Sequence, residues 1–198
     1  MGRGRGAVAE VSERLHLGEV GRVEILEREL PLPGDGLLQF LELGVTHVVT
    51  VEGTGINKLS DLKGKRVSTG SAGSGTEIMA FRVMEAAGID GKKDIKQERL
   101  GAAESVNAIK DRKIDAFFWV GGVPTAAVTD LAATPGTKLK LIDHAEAIDA
   151  MNRKYGPLYV KGIIPAGAYS GQDKPNENID VWNILVSSDK LSDPMAYN

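Results

Sequence analysis

A run of glycine and hydroxyl residues at positions 70–76, with the sequence Gly-Ser-Ala-Gly-Ser-Gly-Thr, is the segment best suited to bind a small ligand. A strand-like segment precedes it and a helix-like segment follows. A tight turn between strand and helix leaves the first N–H groups of the helix without intrahelical acceptors, so they can bind an anion. Glycine lets the backbone approach a ligand, and Ser71, Ser74 and Thr76 add hydroxyls that donate and accept. The run therefore predicts a site for a small anion such as a carboxylate.

The same run departs from both common nucleotide-binding motifs. A phosphate-binding P-loop requires a lysine after its second glycine, and Thr76 occupies that position. A dinucleotide fingerprint requires a third glycine where this chain has Ile78, whose side chain would oppose close helix–strand packing. A plain strand–helix turn with a Ser or Thr N-cap remains the alternative, although such a turn needs one hydroxyl and this run has three. The pattern favours a small organic anion over a nucleotide.

A second candidate segment follows an apolar strand-like stretch at residues 114–120. Ligands of open α/β sheets bind beyond the carboxyl ends of the strands, so this segment and the glycine run should share one edge. Alternation along the strand places Phe117 and Trp119 on one face and Phe118 on the other, and both phenylalanines are expected in the core. The residues expected to face a ligand here are Trp119, Val120, Gly121 and Gly122.

No grouping of residues in the sequence indicates catalysis or metal binding. The three histidines are His16, His47 and His144, and the last is expected at a solvated helix start. The metalloprotease H-E-x-x-H and hydrolase G-x-S-x-G motifs do not occur, and the chain has no cysteine. The sequence therefore predicts a binding protein that is not an enzyme and uses no cofactor or metal.

Composition narrows the class of protein further. The 198 residues carry a formal net charge of −3, which argues against a nucleic-acid-binding surface. No apolar run approaches the roughly 18 residues of a membrane-spanning helix. The basic N-terminus is followed by Glu10, Glu13 and Arg14 where a signal peptide has its apolar region, so no signal peptide is expected in this chain.

Alternating strand and helix patterns predict an α/β fold with a mostly parallel sheet. Residues 1–44 lack this pattern and are predicted to form an atypical, partly disordered leader. The region from residue 45 to residue 198 carries the fold. Its predicted strands are residues 46–51, 65–69, 94–99, 114–120, 139–142 and 181–187, and its predicted helices are residues 57–63, 75–87, 103–111 and 125–133.

Five stretches of the sequence resemble the TAXI family, the TRAP-associated extracytoplasmic immunogenic proteins. These are substrate-binding receptors of TRAP transporters. The resemblance spans residues 45 to 192 in the order of the family. The stretches are Ile56-x-x-Leu59-x-Asp61-Leu62-Lys63-Gly64-Lys65-Arg66-Val67-Ser68, Gly70-x-x-Gly73-Ser74-Gly75-Thr76-Glu77, Ile114-Asp115-Ala116-Phe117-Phe118, Gly122-Val123-Pro124, and Ile164-Pro165-Ala166-Gly167-Ala168-Tyr169-Ser170-Gly171-Gln172.

The resemblance implies a type II periplasmic-binding-protein fold, in which two lobes flank a cleft and are joined by crossing strands. It places one nearly complete lobe at residues 53–160 and the hinge strands at residues 46–52 and 181–188. It implies a monomeric periplasmic receptor that binds a small carboxylate, such as glutamate or another organic acid, and delivers it to a TRAP membrane permease. Ser71, Ser74, Gly75 and Thr76 would contact the ligand carboxylate, and Trp119, Val120, Gly121 and Gly122 would form the opposite wall.

The chain also departs from the family pattern. Family members are longer, and begin with an export signal and a first lobe that residues 1–44 do not resemble. We therefore expect a truncated copy that binds its ligand weakly, because one lobe supplies half of the cleft. The alternative is a small-molecule sensor domain of the same fold, which would need a fused signalling or DNA-binding module.

Overall fold

The computed structural model describes residues 38–186, with burial of individual residues described from Gly44 to Trp182. One seven-stranded sheet carries helices on both faces. Within these residues, no helix has the length and apolar character needed to cross a bilayer. The strands are β1 (Leu38–Val51), β2 (Arg66–Ser68), β3 (Lys96–Glu98), β4 (Ala116–Gly121), β5 (Leu139–Leu141), β6 (Tyr159–Ile164) and β7 (Asn176–Val186). The helices are α1 (Gly75–Ala86), α2 (Ala102–Lys110), α3 (Ala126–Ala132) and α4 (Ile148–Tyr155), with 3-10 turns at Leu59–Leu62 and Ala145–Ala147.

The strand order is β3-β2-β4-β1-β7-β6, and β5 pairs with β1. The predicted α/β class is confirmed, but the prediction of a mostly parallel sheet is wrong for the described strands. Only β2 pairs in parallel, with β3 on one side and β4 on the other. The other four pairings are antiparallel. The parallel part coincides with the region where strands and helices alternate, and the antiparallel part surrounds β1.

Strand β1 is the longest strand and connects the two halves of the sheet. Its first part pairs with β7, from Leu38 opposite Val186 to Val45 opposite Asp180. Its second part pairs with β4 on one side and β5 on the other. It begins at Leu38, eight residues before the predicted start, inside the segment interpreted as a leader. Residues 1–37 lie outside the described part, and the division at residue 45 stays a prediction.

Apolar side chains cover both faces of the sheet, as the alternation along β4 predicts. Phe118 packs with Val48 on the face covered by α1 and α4. Phe117 packs with Val49 on the face covered by α2 and α3, and Trp119 packs against that cluster. Both phenylalanines are almost completely buried, so their predicted place in the core is confirmed.

Local sequence signals account for the first helices. The Ser74 hydroxyl accepts a hydrogen bond from the N–H of Glu77 at 3.1 Å and caps α1. After α1 the chain reverses at Gly88, which has a φ of +72°. The Asp61 carboxylate accepts from the N–H groups of Asn57 and Lys58 and caps the first 3-10 turn. Helix α4 has no side-chain cap, and neither it nor β6 was predicted.

His144 is fully buried, so the expectation of a solvated helix start is wrong. It lies where β1 changes partner from β7 to β5. Its Nδ1–H donates to the carbonyl of Ile142 at 2.8 Å, and its Nε2 accepts from the N–H of Ile179 at 3.3 Å. Ile179 lies next to the last β1–β7 pair. The imidazole therefore accepts a hydrogen bond from a backbone N–H at the end of that pairing. An unpaired buried N–H would cost about 1–3 kcal/mol.

Burial lowers the pKa of His144 to about 4 and does the same for His47, which is fully buried on β1. Both imidazoles are therefore neutral in the folded protein at neutral pH. The unfolded chain takes up protons at these side chains near pH 6.5. Stability from the two histidines is therefore complete above about pH 6.5 and is lost as the pH falls toward 4.

A buried carboxylate lies on β7 in a polar patch. Asp180 is 8 % exposed, and desolvation raises its pKa to about 6. With its amide oriented to match its neighbours, Asn178 donates at 3.1 Å to the Asp180 carboxylate and to the carbonyl of Gly162. A Cβ on Gly162 would lie 2.2 Å from Asn178 and 2.3 Å from Asp180. Glycine is therefore required there, because the two polar side chains occupy that space.

The histidines predict acid sensitivity well above the pKa of ordinary carboxylates. Each contributes a loss of up to about 1.4 kcal/mol per pH unit below pH 6.5. We expect the free energy of unfolding in urea to fall by about 2 kcal/mol between pH 7 and pH 5, after the opposing contribution of Asp180. His144→Gln, which cannot titrate, should remove about three quarters of this fall, because the contribution of Asp180 offsets most of what His47 alone supplies. Equal stability of the wild-type protein at both pH values would contradict the prediction.

Asp180 predicts the opposite pH dependence. Because its folded pKa is raised above the ordinary value of 3.8, its ionisation destabilises the folded state progressively from about pH 4 to pH 6, and the full cost persists above that. Asp180→Asn should increase the free energy of unfolding by about 1–2 kcal/mol at pH 8 and by much less at pH 4. The control is Asp173→Asn, at an exposed loop position. A gain of equal size at both pH values would rule out ionisation as its cause.

Candidate functional site

The two predicted ligand segments do lie at the same edge of the sheet. Strands β2 and β4 are parallel neighbours, with Ser68 opposite Phe117. The turn at residues 70–74 and the end of β4 therefore leave the sheet in the same direction. Strand β3 is also parallel to β2, so residues 99–101 extend from that edge as well. Three successive strand ends thus supply the candidate site.

Gly70 and Gly73 both have positive φ angles, +95° and +74°. A Cβ on Gly70 would lie 2.7 Å from Cγ2 of Thr76, whereas nothing lies within 4 Å of a Cβ on Gly73. The Thr76 side chain is buried against Gly70, with 7 % of its surface exposed. Close packing therefore requires glycine at position 70, and the turn is more than a flexible link.

The backbone N–H groups of the turn divide into occupied and available donors. Gly73 N–H donates to the carboxylate of Glu77 at 2.7 Å, and Ser74 N–H donates to the carbonyl of Ser71 at 3.1 Å. The N–H groups of Gly75 and Thr76 have no hydrogen-bond acceptor among the described residues. The N–H groups of Gly70, Ser71 and Ala72 likewise have no acceptor among the described residues, and those of Gly75 and Thr76 are the two that lie in the first turn of α1.

Two of the three predicted hydroxyls, those of Ser71 and Ser74, differ in their availability to a ligand. Ser71 is exposed, and its Oγ lies 3.5 Å from a Cβ built on Gly101, which precedes α2. Ser74 uses its Oγ as the N-cap of α1. Beneath the turn, Ser105 Oγ donates to Ser68 Oγ at 2.9 Å and ties α2 to β2. The turn and the N-terminus of α2 are therefore adjacent.

Two charged residues, Arg99 and Glu77, lie beside the turn, and the sequence reasoning gave neither of them a role in binding. Arg99 Nε donates to the Glu77 carboxylate at 2.7 Å, and Gln97 Nε2 donates to the same oxygen at 3.1 Å. The N–H of Gly73, and next the hydrogen bond from Arg99, lower the pKa of Glu77, so it is ionised. The Arg99 side chain is 57 % exposed. Only the fold brings Arg99, 22 residues further along the chain, to the turn.

The segment at the end of β4 contributes residues on both faces of the sheet. Trp119 packs on the α2–α3 face, whereas Val120 packs on the α1–α4 face. Trp119 Nε1 donates to Thr125 Oγ1 at 3.0 Å. A Cβ on Gly121 would lie 2.8 Å from Trp119 Nε1, so glycine lets the indole lie across the strand end. Gly122 is exposed.

This arrangement can bind an anion. Available N–H groups, an exposed hydroxyl and a partly exposed guanidinium surround one edge of the sheet. Among residues 38–186, no group of three or more His, Cys, Asp or Glu side chains could hold a metal ion. Two shallow grooves lie elsewhere, against α1 and Tyr155 of α4. The eight predicted ligand-binding residues thus lie along one edge, and their contact with a ligand stays a prediction.

Comparison with solved structures identifies extracytoplasmic binding proteins of low similarity. One is the periplasmic aliphatic sulphonate binding protein SsuA from Escherichia coli, with 19 % identity, a TM-score of 0.42, and coverage of 60 % of this chain and 43 % of that one. An ancestral arginine-binding protein bound to glutamine has 21 % identity, a TM-score of 0.40, and coverage of 74 % and 49 %. A probable amino-acid ABC transporter extracellular-binding protein from Bacillus subtilis has 18 % identity, a TM-score of 0.42, and coverage of 78 % and 52 %.

The chain therefore spans about half the length of these proteins, or less. Comparison with protein-family models gives a match that covers most of the chain. The model of the NMT1-like family matches residues 38–198. The match begins at the residue where strand β1 begins. It includes the turn at residues 70–76, the segment at the end of β4 and both long antiparallel strands. The chain belongs to the NMT1-like family.

Proposed function

We propose that this chain is the solute-binding lobe of an extracytoplasmic receptor, and that it binds a small carboxylate such as glutamate or another organic acid. The observation that carries the proposal is the pair of unoccupied N–H groups, those of Gly75 and Thr76, at an edge shared with the end of β4. Helix N-termini favour negative charge through both their N–H groups and the helix dipole. No catalytic group is needed for this role.

The residues of the proposed site would have different roles in binding. Gly75 and Thr76 would supply backbone N–H groups, and Ser71 would supply a hydroxyl. Ser74 would act through its cap, which holds the first turn of α1 in place. On the opposite wall, Trp119 and Val120 would contribute apolar surface and Gly122 would allow close approach of the ligand. Gly121 would contribute backbone only, because the Trp119 indole occupies the space of a side chain there.

Charge at the turn makes Arg99 part of this proposal. A ligand carboxylate about 5 Å from Glu77 would be repelled by about 3 kcal/mol at an effective dielectric constant of about 20. Arg99 offsets this repulsion, because one of its nitrogens already binds Glu77. Its Nη atoms have no hydrogen-bond acceptor among the described residues. A bidentate contact from those atoms would select a planar carboxylate.

The transport partner is the finer part of the proposal. Residues 56–77, 114–124 and 164–172 resemble TAXI receptors, which supports a periplasmic, monomeric receptor for a TRAP membrane permease. Strands β1 and β7 both extend past the parallel strands and pair with each other from Leu38 to Val45, as expected of strands that cross between two lobes. Uptake by TRAP membrane subunits that requires this protein would support this partner, and uptake without it would contradict it.

Binding by this chain is expected to be weak, because one lobe supplies one wall of the cleft. Titration with L-glutamate, followed by amide NMR shifts, should move the Gly75 and Thr76 signals with a Kd of about 1 mM or weaker, which corresponds to about −4 kcal/mol. Arg99→Ala should weaken this binding by roughly tenfold. The matched control is Arg153→Ala, an exposed arginine on α4, which should leave binding unchanged.

Two results would contradict the proposal. One is a set of shifts confined to the groove beside α4, which would place the ligand elsewhere. The other is equal loss of binding in Arg99→Ala and Arg153→Ala, which would indicate a general charge effect. Micromolar affinity in this chain would instead contradict only the expectation of weak binding, because it would refute the need for a second lobe.

The two glycines of the turn allow a matched test of its geometry. Alanine at either position must adopt a positive φ, at a cost of about 1–2 kcal/mol. Only at Gly70 would the new Cβ also meet Thr76. Gly70→Ala should therefore lose more stability in urea than Gly73→Ala, and it should abolish the glutamate-induced shift of the Thr76 amide. Equal effects of the two variants on both measurements would show that packing of Gly70 on Thr76 is unimportant.

A further inference from the structure

A chain of hydrogen bonds links strand β1 to the segment at the end of β4. His47 Nδ1–H donates to the carbonyl of Val45 at 3.0 Å. The Tyr169 hydroxyl donates to His47 Nε2 at 2.9 Å and accepts from the N–H of Thr125 at 3.0 Å. The two rings meet edge to face, with centroids 5.9 Å apart. His47 and Tyr169 are almost completely buried, with 0 % and 1 % exposed.

The chemistry of the end groups gives this chain of bonds one direction. A carbonyl can only accept and a backbone N–H can only donate. His47 must therefore carry its proton on Nδ1 and accept at Nε2, and the Tyr169 proton must point toward His47. The low pKa of His47 agrees with a neutral imidazole. Each polar atom has a partner, and loss of the tyrosine oxygen would leave the buried Nε2 of His47 and the partly buried N–H of Thr125 unpaired.

Thr125 is the residue through which this chain reaches the proposed ligand wall, Trp119 to Gly122. Its Oγ1 donates to the carbonyl of Gly122 at 2.6 Å and accepts from Trp119 Nε1 at 3.0 Å. Its N–H is the donor to Tyr169. One threonine thus holds both ends of the wall, and Tyr169 holds that threonine.

We propose that Tyr169 is a positioning residue for solute binding, because its hydroxyl fixes the wall Trp119–Gly122 to strand β1 through Thr125 and His47. This inference rests on the proposed function. Backbone pairing with β1 already holds residues 119–121; Tyr169, without touching the ligand, would help to fix the Trp119 indole and the Gly122 carbonyl through Thr125. Because β1 continues to Leu38, the same bonds couple the ligand wall to the strand that leaves the lobe.

Hydrogen exchange on the 198-residue chain tests the coupling without any ligand. Tyr169→Phe keeps the ring and removes only the oxygen. The exchange rates of the Thr125 amide and the Trp119 indole N–H should rise about tenfold, as expected for loss of a hydrogen bond of about 1.4 kcal/mol. The Val67 amide, in β2, should change less. The control is Tyr155→Phe, whose hydroxyl donates to Glu85 on the other face of the sheet, and it should leave both rates unchanged.

A second pair of variants keeps the test valid if Tyr169→Phe folds poorly. Thr125→Val removes Oγ1 but keeps the N–H, so the Trp119 indole should exchange about tenfold faster, whereas Thr125→Ser should preserve the wild-type rate. A uniform rise across all amides in Tyr169→Phe, or an unchanged indole rate in Thr125→Val, would overturn the inference.

The glutamate titration separates this inference from the proposed function. If the wild-type chain binds glutamate, then Tyr169→Phe and Thr125→Val should each weaken binding by about threefold to tenfold, and Thr125→Ser should not. Equal affinity in all of these variants would overturn the positioning role while leaving the proposed function intact. If the wild-type chain shows no amide shifts, the proposed function fails, and the positioning role fails with it even if the exchange results establish the hydrogen-bond chain.

Discussion

The pairing of strand β1 with three different strands is the interaction on which the rest of the structure depends. One edge of β1 pairs with β4, and the other edge pairs first with β7 and then with β5. The change from β7 to β5 interrupts a backbone ladder in the middle of the protein. At this interruption, His144 accepts a hydrogen bond from the N–H of Ile179. The buried, neutral His144 beside β1 is thus a consequence of how the sheet is joined.

The same strand also positions the proposed ligand site. Because β4 pairs with β1, the parallel strands β2 and β3 are held at one side, and their carboxyl ends form one edge with that of β4. The turn at residues 70–74 and the wall at Trp119–Gly122 are therefore parts of one surface. The hydrogen bonds from His47 through Tyr169 to Thr125 add a second link, through side chains, from β1 to that wall. Fold and site share one central element.

The sequence predicted those features whose signals are local. The turn between β2 and α1 depends on Gly70, Ser74 and Gly88, which lie within 20 residues of one another, and the structure places a strand, a turn and a capped helix there. The sequence also predicted that the turn and the end of β4 lie at one edge of the sheet, since this requires only that β2 and β4 be parallel. Alternation was sufficient to assign Phe117 and Phe118 to opposite faces of the core.

Features that depend on distant contacts could not be predicted in the same way. The antiparallel pairings of β1 join segments up to about 150 residues apart, and β6 contains Gly162, which weakens a strand pattern. Helix α4 lacks the capping side chain that signals a helix start. His144 was expected at the surface, because only the interrupted ladder requires it inside. Arg99 lies in no motif, and the stretch that contains Tyr169 gives that residue no role; their partners lie 22 and 122 residues away.

The carboxylate of Glu77 indicates what kind of site this turn can form. It accepts the Gly73 N–H and binds Arg99, so a carboxylate from the chain itself already uses part of the turn. This contact uses one N–H of the turn, and it leaves the N–H groups of Gly75 and Thr76 for the proposed ligand. A ligand there would meet one ionised acid and one arginine, which nearly cancel in charge. Its affinity would then come from a few hydrogen bonds and from the facing walls, which is compatible with reversible release by a transport receptor.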